Sequence, residues 1–192
     1  MSTKVIFLMG RPGCGKGTQL KFLIEKTGFK VIKTGELLRK KAEEDDSLGR
    51  KTKEVLLEGK LMPTPLVFML WMPLLAEFHE QEDVKGVVFD GNPRKFYEAK
   101  MLEEVFDMFG WDEIKTCYIK ISEEESYERL RKRKRMDDTD DEIRERLSWF
   151  KDEVEPVIEY FREKGILVEI NGEQSVNDVW KEIEEKLGDF IK

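Results

Sequence analysis

Cysteine and histidine are scarce in this chain: two and one, respectively, in 192 residues. Two cysteines cannot build a disulfide framework, and one histidine cannot anchor a zinc cluster. Long apolar runs are missing as well. None nears the roughly 20 residues of a membrane span. The early run 5–9 is too short for the core of a secretory signal, and no cleavage site follows it. A reducing, cytoplasmic setting without a membrane partner is the expectation. An excess of positive charge is also missing, with 34 Lys and Arg against 41 Asp and Glu and a formal net charge of −7. A general nucleic-acid binder needs the opposite balance, so nucleic acid is not an expected partner. A small anionic ligand is compatible with it, because local fields outweigh net charge inside a cleft. Repeats and low-complexity linkers are absent, and the length suits one domain.

What is there is regular. Hydrophobic residues make up 40% of the chain and aromatics 10%, enough for a single core and too much for disorder. Short apolar runs at 4–9, 30–33, 86–90, 114–121 and 166–171 read as strands. Helices are expected at 18–26 with Gly28 as the stop, and at 36–44, 48–58, 66–80, 95–109 and 123–135. Thr139 with Glu142 three residues on fits a capping box. It opens an apolar helical stripe from Ile143 to Phe161, which Pro156 should kink. Ser175 should cap a last helix whose apolar face is Val176, Val179, Trp180, Ile183 and Leu187. The face of 95–109 is Phe96, Ala99, Leu102, Val105, Phe106 and Phe109. Cys117, in an apolar strand, reads as core, and His79, near a helix end, as solvated. Strands alternating with helices give an α/β fold with a five-stranded parallel sheet covered on both faces.

Gly10-Arg11-Pro12-Gly13-Cys14-Gly15-Lys16-Gly17-Thr18 lies between an expected strand and an expected helix, the context of a phosphate-binding P-loop. Glycines let backbone N–H groups turn inward and ring a phosphate. The following helix presents its positive end, and Lys16 brings a point charge to the outer phosphates. The bland alternative is a glycine-rich turn, against which the lysine at the motif position weighs. The generic motif places Ser or Thr directly after the lysine to hold magnesium. Here Gly17 stands there and Thr18 follows, so phosphates and water would hold most of the ion. Cys14 reads as a small side chain filling a tight loop.

With Gly17, Thr18 and Gln19 the loop resembles that of the nucleoside monophosphate kinases, the adenylate kinases in particular. Further segments agree in the same order: Thr34-Gly35-Glu36-Leu37-Leu38-Arg39, Asp90-Gly91-Asn92-Pro93-Arg94, Arg129 with Arg133, Arg135-Met136-Asp137-Asp138, Arg144-Glu145-Arg146-Leu147 and Glu155-Pro156-Val157-Ile158. The resemblance covers almost the whole chain. It implies one P-loop kinase domain with a core of 1–33, 66–128 and 147–192. A small helical insertion for the acceptor nucleotide would occupy about 34–65 and a lid region about 129–146. It implies a monomer that transfers the γ-phosphoryl of ATP, with Mg²⁺, to a nucleoside monophosphate, AMP foremost.

The implied ATP site is Gly13, Cys14, Gly15, Lys16, Gly17, Thr18, Arg129, Arg133 and the Gln174 backbone. The implied acceptor site is Thr34, Arg39, Lys60, Leu61, Met62, Val67, Gly91, Arg94 and Glu98, with Arg135 and Arg146 closing over the transferring group. Lys16, Arg94, Arg133, Arg135 and Arg146 would be the catalytic cations, and Asp90 would hold Mg²⁺ through water. The chemistry suits such a set. An acceptor phosphate is already ionised near neutral pH and needs no general base. The task is to hold two repelling anions in line and neutralise the moving charge.

Several positions depart from the family. Six of the seven residues 129–135 are basic, which alone reads as a solvated face or a nucleic-acid patch. The Asp137-Asp138 pair and Arg144-Glu145-Arg146-Leu147 turn the reading to a lid. One residue separates Arg133 from Arg135, so this lid is shorter than in short-lid members, and without cysteines it cannot be the zinc-bearing kind. Glu36 stands for an Asp, Asn92 for an aromatic and Thr64-Pro65 for an acidic pair. Glu98 replaces the Gln that reads the acceptor base. An ionised carboxylate only accepts hydrogen bonds, which suits guanine's adjacent N1–H and N2–H₂. GMP is therefore the second acceptor, and an adenylate-kinase-like ATPase of macromolecular assembly is the third reading.

Overall fold

The computed structural model of the protein describes residues 3–133 and 139–192. Its strands are β1 (Lys4–Gly10), β2 (Lys30–Ile32), β3 (Gly86–Asp90), β4 (Ile114–Lys120) and β5 (Leu167–Asn171). Its helices are α1 (Lys16–Thr27), α2 (Thr34–Ala42), α3 (Ser47–Leu57), α4 (Thr64–Glu80), α5 (Phe96–Phe109), α6 (Glu123–Arg133), α7 (Asp140–Trp149), α8 (Glu155–Glu163) and α9 (Val176–Leu187). The strands make one parallel sheet in the order β2-β3-β1-β4-β5.

β1 is central, paired with β3 and β4, and helices cover both of its faces, so its run is apolar without alternation. Val5, Phe7 and Met9 share one core with α4, α5 and α8, while Ile6 and Leu8 share the other with α1 and α9. The Phe7 ring stacks on Phe161 at 5.1 Å and tilts against Phe89 at 5.3 Å. Burying one such ring stabilises the fold by about 2–3 kcal/mol, which firmly anchors the strand that carries the glycine-rich loop. β1 hands the chain to one side, towards β2, and β3 hands it to the other, towards β4. A crevice therefore opens at the carboxyl ends of β1 and β3, where open α/β sheets bind ligands. Gly91 N–H donates to Leu8 O at 2.9 Å and closes β3 onto β1 at that point.

The structure corrects the sequence reading in several places. α1 begins at Lys16, earlier than its apolar pattern, because Lys16 and Gly17 carry no apolar signal. The stripe from Ile143 to Phe161 is not one kinked helix. α7 passes into a π turn, Phe150–Val154, and α8 follows with Pro156 in its first turn. Glu155 N–H donates to Phe150 O, five residues back. This widening places the proline at a helix start, where its missing donor is not needed. Phe96 and Val176, expected on apolar faces, are about half exposed in the first turns of α5 and α9. His79 is exposed, as expected, with its ring stacked on Phe109 at 4.2 Å.

Other local readings hold. Thr139 and Glu142 form a reciprocal capping box at α7, and Ser175 caps α9 by accepting from Asp178 N–H. α6 and α7 pack through their own small cluster of Leu130, Ile143 and Leu147. Cys117 is fully buried in β4, and burial pushes its thiol up to about 12. No described helix is long and apolar enough to cross a membrane.

Candidate active site

The loop after β1 takes its shape from close approaches. A Cβ on Gly10 would lie 2.4 Å from Ile119 O and 2.6 Å from Cys14 Sγ, so no larger residue fits. Cys14 is 2% exposed and fills the loop from within, as expected. Gly15, at φ +97°, is the N-cap of α1 and offers no side chain to its first amides, which leaves them for an anion. The loop is braced from outside. Ser126 Oγ on α6 donates to Pro12 O at 2.5 Å. Arg11 Nη1 donates to Ile121 O at 3.1 Å, and Nη2 pairs with Glu155 at 2.5 Å. The Arg11 guanidinium also lies 5.3 Å above the Phe150 ring. Lys16 Nζ donates to Gly10 O at 2.5 Å and Arg11 O at 3.2 Å.

A cleft of about 330 Å³ opens beside this loop. Lys16, Thr34, Arg39, Lys60, Leu61, Met62, Val67, Gly91, Arg94, Glu98, Arg133 and Arg146 all line it, although they come from distant parts of the chain. Gly13, Cys14, Gly15, Gly17 and Thr18 form the loop and helix start next to it. Arg129 and Gln174 are not among the lining residues. Arg129 Nε pairs with Glu125 at 2.6 Å, although the Gly13 side of the loop packs against its Cβ. The Gln174 amide is held by Asn171 O at 3.0 Å and by Glu182. Asp90 ends β3, opposite Leu8. Arg135 lies outside the described residues.

Charge in the cleft opposes the net charge of the chain. Lys16, Arg39 and Arg94 form no ion pair with a carboxylate among the described residues. Arg94 is gripped on several sides. Its Nε donates to Gly91 O at 3.0 Å, its backbone N–H donates to Glu98 Oε2 at 2.7 Å, and its guanidinium lies 5.4 Å over the Trp149 ring. Burial pulls the Arg94 pKa down, the Glu98 and Asp90 charges oppose that, and the neighbouring Arg146 charge adds to it. Burial pushes the Glu98 carboxyl up, against the Arg94 N–H and the Arg94 charge.

Glu98 thus faces the 92–95 turn. It is the third residue of α5 and reaches back around the helix start, as the Glu of a capping box does. Thr34 Oγ1 accepts from Trp71 Nε1 at 2.9 Å, which fixes its hydroxyl at the cleft wall. Lys95 Nζ donates to Met62 O at 3.1 Å and ties the 60–62 segment to this turn. Across the mouth, a Cβ on Gly59 would lie 3.2 Å from Glu145 Oε2 on α7. Sequence reasoning missed Trp149, which carried no local signal. It also missed the bracing by Arg11, whose charge inside a glycine loop was the available clue.

Among the described residues no group of three His, Cys, Asp or Glu side chains could hold a metal. Asp90, the carboxylate expected to hold magnesium, ends β3 and is not among the residues that line the cleft; a single carboxylate suits only an ion that arrives on a nucleotide and takes most of its oxygens from phosphate and water.

A family model described as adenylate kinase matches residues 8–166. The chain is 34% identical over 191 residues to an adenylate kinase of Azobacteroides pseudotrichonymphae, covering 97% of this chain and 98% of that one. It is 37% identical over 187 residues to adenylate kinase 1 of a Nostoc species, with 97% and 99% covered. To an adenylate kinase of Mycobacterium bovis it is 39% identical over 159 residues, with 83% and 86% covered. The glycine loop at the sheet's crevice, the cationic cleft beside it and these matches along the chain agree: it belongs to the adenylate kinase family of phosphotransferases.

Proposed function

We propose that the protein moves the γ-phosphoryl group of ATP onto AMP, giving two ADP. The observation that carries this reading is the placement of Lys16, Arg39 and Arg94, three cations that form no ion pair among the described residues, in one cleft shared by the P-loop and the α2–α4 insertion. Arg39 and Arg94 hold the acceptor phosphate, and Lys16 holds the outer phosphates of the donor. Arg133 and Arg146 face both, and Arg135 joins them by resemblance. The acceptor oxygen is already ionised, so the residues align two anions rather than move a proton. Arginine forks suit that because they stay charged even when buried. Asp90 would hold Mg²⁺ of the ATP complex through water, and the ion would supply neutralising charge to the phosphates.

Arg129 and the Gln174 backbone take the donor base. Residues 34–65 act as the acceptor-binding insertion, and 129–146 as the lid of a monomer. Two buried free thiols suit a reducing, cytoplasmic setting. The guanine alternative rested on a carboxylate facing the base. Glu98 Oε2 takes Arg94 N–H, so the pair of carboxylate oxygens that guanine's N1–H and N2–H₂ would use together is not wholly free, which weighs towards AMP. A pure ATPase would have no use for Arg39 and Arg94 in the cleft.

The test is a coupled assay of ADP formation with ATP against AMP, GMP, CMP, UMP and dTMP. AMP is expected to give the highest kcat/KM. A preference for GMP overturns the choice of base. ATP turnover that ignores every monophosphate overturns the kinase reading.

A further inference from the structure

Asn92 stands in the cleft wall between Gly91 and Arg94, 2% exposed. Its Oδ1 is buried and has no hydrogen-bond partner among the described residues. The orientation of the amide is chemically fixed. Nδ2 lies 3.5 Å from Glu98 Oε2, and reversing the amide would set two acceptors against each other. The backbone beneath it is fixed too, by Gly91 N–H on Leu8 O and Arg94 N–H on Glu98. The result is a buried acceptor in a residue of the cleft wall that lacks a donor among the described residues. Buried acceptors of this kind are rare because they are costly, and each calls for an explanation.

Resting on the kinase reading above, we propose that the Asn92 carboxamide oxygen reads the acceptor base by accepting a hydrogen bond from an exocyclic amino group, selecting a 6-aminopurine monophosphate over a 6-oxopurine one. The chemistry is one of complementarity. Adenine offers N6–H₂ as a donor. A 6-oxopurine presents O6 in its place, and two buried acceptors then face each other. Glu98 Oε2 serves the turn and, by holding Nδ2, aims Oδ1.

The test pairs a substrate change with a side-chain change. The substrates are AMP, purine riboside 5′-monophosphate, which lacks the amino group, and IMP, which carries the oxo group. The proteins are the wild type and Asn92→Leu, which is close in volume and has no acceptor. In the wild type, kcat/KM for AMP should exceed that for the amino-less substrate by about tenfold or more, and that for IMP by more again. In Asn92→Leu the ratio of AMP to the amino-less substrate should fall to about one. A purely structural role would lower both substrates together and leave the ratio intact, and that outcome overturns the proposal. So does a wild-type ratio near one, which needs no folded variant to observe. If the wild type phosphorylates none of the monophosphates, the kinase reading falls and takes this inference with it. Turnover with a ratio of one removes the inference alone.

Discussion

Replacing Lys16 with methionine should separate catalysis from stability. The ammonium donates to Gly10 O at 2.5 Å and Arg11 O at 3.2 Å, and it also faces another cation. A point one Cβ length out from Gly91 lies 3.5 Å from Lys16 Cε and 3.8 Å from Arg94 Nη2. The two charges therefore stand within about 9 Å, where repulsion amounts to about 2 kcal/mol at an effective dielectric of about 20 and about 0.5 kcal/mol in bulk water. Lys16→Met relieves that repulsion and removes, at a partly buried site, the two bonds to carbonyls, about 1 kcal/mol each, and a weaker one to Cys14 Sγ. The terms nearly cancel, so the unfolding free energy should drop by no more than about 1–2 kcal/mol. Catalysis has no such compensation. One preorganised charge on the moving phosphoryl group is worth about 3 kcal/mol, or roughly a hundredfold in kcat. Because the contact strengthens in the transition state, kcat should fall more than KM for ATP rises. Coupled kinetics and urea unfolding in one buffer measure both quantities. Near wild-type turnover would refute the phosphate role. A stability loss above about 3 kcal/mol would make Lys16 a strut of the loop instead.

Three further outcomes follow from the same region and the core. Burial raises the Glu98 carboxyl above its ordinary 4.5, so the stability it contributes is full below that pH and is lost as pH rises through the raised value. Glu98→Gln removes this loss, and its urea midpoint should gain on the wild type as pH rises above about 4.5; a constant difference refutes the buried-charge account. Trp149→Leu removes a cation–π contact with Arg94 worth about 0.5–2 kcal/mol, so KM for the acceptor should rise about 2- to 30-fold while Trp149→Phe keeps most of the affinity. Equal losses in both variants would mean the ring acts only by filling space. Cys117, fully buried with its thiol at about 12, should resist alkylation in the native protein at about pH 8 and react completely in denaturant; native labelling would show that β4 opens.

The strands were legible because a parallel sheet buries both faces and leaves unbroken apolar runs, as in Val5–Met9 and Val87–Phe89. Thr34, Arg39, Gly91 and Arg94 were legible as a group because short motifs carry them, and the fold brings those motifs to one cleft. What stayed hidden depends on contacts between distant residues. Nothing near Trp149 in sequence points to Arg94, 55 positions earlier, yet their rings and charges meet. Arg11 reaches Glu155 across 144 positions. Pro156 announced a break in the helical stripe, but its form, a π turn five residues long that buries Phe150 and Val154, had no signature in the apolar spacing. Glu98 could be placed at the site from sequence. Which way it turned required the backbone of Arg94.

The fastening of the α6–α7 pair has a practical consequence. Its first arm is pinned to the phosphate loop where Ser126 meets Pro12 O, and its second arm ends at a π turn held by Arg11 through Phe150 and Glu155. Between the arms, Leu130, Ile143 and Leu147 pack on one another rather than on the main cores. The hairpin is therefore a module with two fixed roots. Both roots, and the phosphate loop they brace, lie outside the sequence between Arg133 and Thr139. The length of that connection is therefore a single engineering parameter, with ATP turnover in the presence and absence of a nucleoside monophosphate as the output.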